Sequence, residues 1–132
     1  VGEWTMEAAL LGLVVGGLSA LLITINNLRD VEEDEKTGKK TLAVRLGWKL
    51  ARLAVIDEML LVLVPLFFLL RGLGLGGGLA GWSLQAFLLL AGGGLAVKVI
   101  ATRPSPAYNR FLMLAGLLMV AFAVGWTWVV IL

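Results

Sequence analysis

Four long apolar runs, separated by short polar stretches, dominate the pattern of hydrophobic and polar positions along the chain. The runs cover residues 8–25, 53–70, 79–101 and 111–132. A helix needs about 20 mostly apolar residues to cross a bilayer, so each run is long enough for one transmembrane span. One such run could be a buried core helix, but four of them leave too little polar sequence to cover them. The pattern predicts an all-α integral membrane fold, with four transmembrane helices in a single domain over residues 1–132.

The composition agrees with a membrane protein and narrows the chemistry that the chain can perform. Of the 132 residues, 60% are hydrophobic and only 15% are charged, and the mean hydropathy is +0.97. No basic segment precedes the first run and no small-residue cleavage pattern ends it, so we expect the first run to be a membrane span and not a signal peptide. Cys and His are absent, so disulfides, thiolate metal sites and His-based acid–base chemistry are excluded within this chain.

The basic residues predict the orientation of the spans. Seven lie in the connection after the first run and three flank the last connection, whereas the middle connection has only Arg71. Basic loops stay in the cytoplasm. We therefore expect a multi-pass plasma-membrane protein whose first and third connections are cytoplasmic and whose chain ends are external. Aromatic residues at the expected interfaces agree with this orientation: Trp4, Trp82, Trp126 and Trp128 on the outer side, and Trp48 and Tyr108 on the inner side.

The first connection, residues 26–47, holds ten of the twenty charged residues in the segment NNLRDVEEDEKTGKKTLAVRLG. Asn26, Asp30 and Asp34 are four residues apart, so they would share one face of a helix that ran unbroken from residue 8 to about residue 35. Mg²⁺ binds one or two carboxylates and completes its shell with water and phosphate oxygens. Lys39 and Arg45 follow, and such cations bind phosphates. The segment predicts a magnesium–diphosphate site at the membrane surface.

Three other interpretations of this segment compete. A solvated loop is our interpretation for Glu32, Glu33, Glu35 and Lys36, but it explains the two asparagines at the membrane edge less well. A calcium-binding loop is excluded, because Glu35 stands where a glycine belongs and Thr41 where a bidentate Glu belongs. A polybasic lipid-binding patch is disfavoured, because the interleaved acids cancel much of its field.

The segment resembles the second Asp-rich motif of the UbiA superfamily of intramembrane prenyltransferases. It is most similar to the branch that acts on 1,4-dihydroxy-2-naphthoate, with the motif NN-x-R-D-x-x-x-D-x-x-x-G-K-x-T-L-A-V-R-L-G, and it matches all fourteen fixed positions. A bare D-x-x-x-D would be a weak signal, but fourteen matches are specific. The order of the helices is similar too, and the resemblance implies that these four are helices six to nine of a nine-helix bundle.

The resemblance also implies an activity. In this family, Mg²⁺ held by two Asp-rich motifs binds the diphosphate of a polyprenyl donor, and an aromatic acceptor attacks the resulting allylic cation. With 1,4-dihydroxy-2-naphthoate as acceptor the product is demethylmenaquinone, a step of menaquinone biosynthesis. The implied roles are catalytic metal binding by Asp30 and Asp34, metal or diphosphate support by Asn26, and diphosphate contact by Arg29, Lys39 and Arg45.

The first Asp-rich motif of that family has no counterpart in the chain. Outside residues 26–47, the only acids of the chain are Glu3, Glu7 and the pair Asp57–Glu58. Because the chain also begins at Val1, we expect a fragment whose missing N-terminal helices carry the first motif and which is inactive alone. We expect no nucleic-acid partner.

Other possibilities stay open. Asp57 and Glu58 lie one to two turns inside the second run, where charge is costly and often functional; they either line the acceptor pocket or lie at the interface. The chain could belong to a UbiA-type enzyme with another aromatic acceptor or a phytyl donor. A transporter half would place polar residues at mid-helix along a pathway. It is less favoured, because the polar residues inside the runs are few, mainly Ser19, Thr24, Ser83 and Gln85. A non-catalytic scaffold is also less favoured, because it would need no acidic face.

Overall fold

The four apolar runs form long helices in the computed structural model, which describes residues 5–131. The residues at either end, including Glu3, Trp4 and Leu132, lie outside the described part. Seven helices follow one another, and residues 5–131 contain no strand: α1 (Met6–Arg29), α2 (Val31–Thr37), α3 (Leu42–Leu46), α4 (Trp48–Ala51), α5 (Ala54–Gly72), α6 (Leu79–Ala101) and α7 (Tyr108–Ile131).

These helices form four spans that are long and apolar enough to cross a membrane. The spans are α1, α4 together with α5 (Trp48–Gly72), α6 and α7, and each has 23 to 25 residues. The predicted all-α integral membrane fold with four spans is confirmed. The observed helices extend the first, second and fourth predicted runs by a few residues, because polar residues at a helix end can still continue the backbone hydrogen bonding.

The spans pack as a closed ring in which each long helix contacts two others. Helix α1 lies between α5 and α7, and α6 lies between the same two helices on the far side. Small residues allow the close approaches. A Cβ atom on Gly17 of α1 would lie 2.9 Å from the carbonyl oxygen of Glu58 in α5. Gly92 of α6 leaves room for Met59 in the same way, whereas its neighbour Gly93 has open space. Of the glycine cluster in α6, Gly92 therefore serves close helix packing.

The outward surfaces of all four spans are rich in exposed large apolar side chains. Leu90 in α6 and Val124 in α7 are 75% and 67% exposed, and an apolar groove of about 980 Å³ runs between these two helices. Exposed apolar surface of this extent is unfavourable in water, and it suits contact with lipid tails.

The first helix does not run unbroken to residue 35, and that prediction was wrong. Asp30 has φ −95° and ψ 7°, so α1 ends and α2 begins there. The amide of Asp30 still donates to Asn26 O (3.1 Å), and that of Asp34 donates to Asp30 O (2.8 Å). The three residues therefore keep their one-turn spacing across the break.

The first and third connections meet at the same end of the ring. Arg52, just after α4, donates from Nη1 to the carbonyl oxygen of Ile100 near the end of α6 (2.7 Å). Tyr108 is fully buried, and its hydroxyl lies 3.1 and 3.0 Å from the carbonyl oxygens of Val99 and Thr102. Tyr108 therefore ties the start of α7 to the end of α6.

Candidate functional site

The charged segment of residues 26–47 folds mainly as two short helices, and a glycine turn between them sets its shape. Gly38 ends α2 with φ 75°, a conformation that costs residues with a Cβ about 1–2 kcal/mol. This turn lets the amide of Lys39 donate to Asp34 O (2.9 Å). The backbone thus folds Lys39 back onto Asp34. Thr41 then caps α3 by accepting from the amide of Val44.

Lys39 and Asp34 form the first ion pair of the segment. Lys39 Nζ lies 2.9 Å from Asp34 Oδ1, where the carboxylate side chain is 4% exposed and the lysine side chain is 67% exposed. The hydrogen bond to Asp34 and its negative charge raise the pKa of Lys39 above its usual value. Asp34 therefore places a nearly buried carboxylate against a cation that reaches into water.

Arg29 and Asp30 form the second ion pair. Nε and Nη2 of Arg29 donate to the two Asp30 carboxylate oxygens at 2.7 and 2.8 Å, a fork geometry that strengthens such pairs. This hydrogen bonding lowers the pKa of Asp30 against the opposing effect of partial burial, and the charges of Arg29 and Lys39 add to the lowering. Asp30 is thus ionised at neutral pH. Because Arg29 occupies its carboxylate, Asp30 does not cap α2 with its side chain.

A polar cleft of about 570 Å³ lies between this segment and the α6–α7 connection. Arg29 spans it, since its Nη1 donates to Asn109 Oδ1 at 3.2 Å. The cleft is lined by Arg29, Asp30, Glu32, Pro104, Ser105, Pro106 and Asn109. The segment that the sequence singled out therefore forms one wall of the cleft, and a connection 75 to 80 residues further along forms the other.

The predicted site residues are only partly brought together. Arg29 and Asp30 line the cleft, and Asp34 and Lys39 pair beside them. Asn26 is half-buried in the last turn of α1, and Arg45 is exposed on α3; neither lines the cleft. Glu32, Glu33, Glu35 and Lys36 are exposed as expected, but Glu32 also lines the cleft.

Sequence reasoning missed Ser105 and Asn109. They lie in the stretch TRPSPAYN, residues 102–109, whose two prolines indicate only a turn. No local spacing signal links this stretch to the Asp-rich segment, because the contact joins residues far apart in the chain.

The donor set is compatible with Mg²⁺. Within residues 5–131, no three acidic side chains come together to form a metal cage. Mg²⁺ does not need one, since it commonly binds one or two carboxylates together with water and substrate phosphates. Asp30 and Asp34 supply two carboxylates one turn apart, each paired with the cationic side chain of Arg29 or Lys39. These residues therefore fit Mg²⁺, the ion that the sequence predicts.

A buried carboxyl group lies deeper in the bundle. Glu58 of α5 is 8% exposed and accepts a hydrogen bond from Thr24 Oγ1 of α1 at 2.5 Å. Its Oε2 is buried with no partner among the described residues. The neighbouring Asp57 is exposed. The two acids that the sequence presented as a pair therefore have different surroundings.

Comparisons with known proteins relate the chain to one family of enzymes. The family model described as the UbiA prenyltransferase family matches residues 1–117. No solved structure matches the chain.

Three curated relatives share local similarity with the chain, and each is a 1,4-dihydroxy-2-naphthoate octaprenyltransferase. The protein of Haemophilus influenzae is 62% identical over 32 residues, which are 24% of this chain and 10% of that protein. The protein of Escherichia coli is 39% identical over 54 residues, 36% of this chain and 18% of that protein. The protein of Bacillus subtilis is 41% identical over 44 residues, 33% of this chain and 14% of that protein. The matches thus span less than a fifth of each relative, but the family model covers most of this chain, which therefore belongs to the UbiA prenyltransferase family.

Proposed function

We propose that the protein transfers a polyprenyl group from its diphosphate to 1,4-dihydroxy-2-naphthoate, giving demethylmenaquinone. The observation that carries the proposal is the fold of the Asp-rich segment, which sets two carboxylates and two bases beside a polar cleft at one end of a membrane-spanning bundle. Family membership supports prenyl transfer, and the names of the three relatives support the acceptor.

Asp30 and Asp34 are the residues that would hold Mg²⁺, and Asn26 would support the metal or the diphosphate. A bound Mg²⁺ neutralises the charge that develops on a departing diphosphate. Arg29 and Lys39 would contact diphosphate oxygens, since both already hold anionic oxygens beside the cleft. Arg45 would contribute through its charge, because it is exposed outside the cleft lining.

The placement in the membrane belongs to the same proposal. The cleft lies at the end of the ring that carries most of the basic residues, so we place it on the cytoplasmic face of the plasma membrane with both ends of the chain outside. The four spans would be helices six to nine of a nine-helix bundle. In this proposal, further N-terminal helices with a first Asp-rich motif would complete the cleft, and residues 1–132 alone would not turn over substrate.

A transporter half is the less supported alternative. The hydroxyls of Ser19 and Ser83 donate to carbonyl oxygens of their own helices, and Gln85 donates to Leu63 O across two helices. Thr24 is occupied by Glu58. Each of these four side chains donates a hydrogen bond within its own helix or to a neighbouring helix, which supports a role in packing more than one in a transport pathway.

The test uses the full-length protein in nanodiscs with Mg²⁺, a polyprenyl diphosphate and 1,4-dihydroxy-2-naphthoate, with demethylmenaquinone measured by chromatography. Asp30→Asn and Asp34→Asn should each lower turnover by at least about 100-fold, because the amide keeps the shape but loses the anionic ligand. The matched control is Glu35→Gln, an exposed acid of the same segment, which should stay within about twofold. Equal losses in all three variants, or no product from the parent protein, would refute the proposal.

A further inference from the structure

The side chain of Arg29 joins the two connections at the cleft end of the ring. Three of its N–H groups are engaged, two by Asp30 and one by the side-chain carbonyl of Asn109 in the first turn of α7. A guanidinium has five N–H donors in a fixed plane, so two remain for a ligand. Because Asn109 holds Nη1, it helps to set the direction in which those two donors point.

The backbone of Asn109 is held by its neighbours. Its backbone amide donates to Pro106 O at 3.1 Å, and the preceding Tyr108 is fully buried. The Tyr108 hydroxyl donates to carbonyl oxygens at the end of α6. The Asn109 side chain itself is exposed, so it offers its acceptor to Arg29 at the rim of the cleft from a backbone that is tied down, as a supporting residue of a binding site can do.

We propose that Asn109 is a positioning residue for diphosphate binding: its side-chain carbonyl holds the Arg29 guanidinium in the cleft, so that the two remaining N–H donors meet the diphosphate. The inference rests on the proposed function, since it concerns the same site. Asn109 acts through Arg29 and need not touch the ligand. An arginine already held by two partners loses less rotamer freedom on binding than a free one.

The experiment measures binding of farnesyl diphosphate with Mg²⁺ to the full-length protein in detergent by isothermal titration calorimetry. Asn109→Ala should weaken binding about threefold to tenfold, the effect of losing one exposed hydrogen bond to a charged group. Arg29→Gln should weaken it further. The double variant should be no weaker than Arg29→Gln, because Asn109 has nothing left to position. The KM for 1,4-dihydroxy-2-naphthoate should not change in Asn109→Ala.

The matched control is Arg110→Gln. Arg110 is the next residue of α7 and is exposed, so this variant removes a positive charge from the same connection without removing the Asn109 acceptor. It should stay within about twofold of the parent. A loss in Arg110→Gln equal to that in Asn109→Ala would show that the connection acts only through its charge, and would overturn the inference.

Thermal unfolding of each variant separates positioning from folding. Should Asn109→Ala unfold early, Asn109→Ser, which keeps a polar side chain too short to reach Arg29, replaces it with the same expected loss. Additive losses in the double variant, or parent-like binding by a folded Asn109 variant, would refute the positioning role while leaving the proposed function intact. If the parent protein bound no farnesyl diphosphate, the proposed function would fail and the positioning role with it.

Discussion

Thr24 and Glu58 form a buried polar contact between α1 and α5. We expect different effects on stability when each of the two residues is replaced. Thr24→Val should destabilise the protein by about 0.6–1.7 kcal/mol, the range found for hydrogen bonds between membrane helices, because it leaves the Glu58 carboxyl without its partner. Glu58→Gln keeps an acceptor and should be mild. Replacing both residues, with Thr24→Val and Glu58→Leu, should come close to the parent, since no polar group is then left unpaired. Reversible unfolding in bicelles measures these differences.

The control for this series is Ser19→Ala. The Ser19 hydroxyl donates to Val15 O within α1, so its loss should change the stability little. Turnover of the same variants tests whether Glu58 takes part in the reaction. A large loss of turnover in Glu58→Gln at unchanged stability would assign Glu58 to the acceptor pocket, the alternative that the sequence left open.

Residue by residue, the sequence located one wall of the cleft and not the other. The four-residue spacing of Asn26, Asp30 and Asp34, and the basic residues that follow them, could be recognised locally because one short segment carries them all. Asn109 was not, since an amide in a Pro-rich turn has no local feature that marks it as a partner of Arg29. The burial of Glu58 and the exposure of Asp57 depend on which helix packs beside α5, so neighbouring positions could not reveal them.

Among the elements, α1 and α5 provide a matched pair of glycine substitutions. A Cβ on Gly17 would lie 2.9 Å from the backbone carbonyl oxygen of Glu58, whereas one on the neighbouring Gly16 meets nothing within 4 Å. Gly17→Ala should therefore destabilise the bundle by about 1–3 kcal/mol through overpacking, because a backbone atom cannot move aside as the end of a side chain can. Gly16→Ala should be neutral or slightly stabilising, because alanine favours the helix. Thermal unfolding of the two variants under one set of conditions compares them, and equal effects would contradict the packing assigned to Gly17.

Hydropathy predicts the bounds of the long apolar helices well, because the thickness of the bilayer sets their length, and it predicts the bounds of other helices less well. The third run, residues 79–101, coincides with α6 because Gly78 and Thr102, both extended, flank it. The break at Asp30 escaped prediction, because the sequence around it has no proline or glycine and the i, i+4 bonds resume at once. The sequence predicted an interface position for Tyr108, but it could not predict that the Tyr108 hydroxyl donates to carbonyl oxygens at the end of α6, because that contact depends on how α7 packs.

For the whole molecule, the orientation in the membrane is directly testable because the chain has no cysteine. Glu35→Cys lies on the exposed face of α2, and Gly77→Cys lies in the opposite turn, where a side chain meets nothing within 4 Å. In a background without other cysteines, a membrane-impermeant maleimide should label the first only in inside-out vesicles and the second only in right-side-out vesicles. The reverse pattern would contradict the orientation inferred from the basic residues.

The arrangement of the helices as a ring could not be read from the sequence. Four apolar runs with short connections fix antiparallel neighbours along the chain, but the contact between α1 and α7 joins the first span to the last. Which faces meet depends on small residues such as Gly17 and Gly92, and hydropathy treats all apolar faces alike. The ring matters for the site, since it brings the third connection to the Asp-rich segment.

The two ion pairs of the segment have a consequence for the order in which ligands arrive. Residues 26–47 contain five acids and five bases, and the two key carboxylates already have basic partners, so the segment by itself is electroneutral. A divalent cation arriving alone must share Asp30 or Asp34 with its base, and it leaves an excess of positive charge at the segment. A cation arriving with a diphosphate brings the negative charge that offsets this excess, and the base can contact that anion while it keeps its other partners. Metal and diphosphate should therefore strengthen each other's binding by the same factor, and Mg²⁺ alone should be held only weakly.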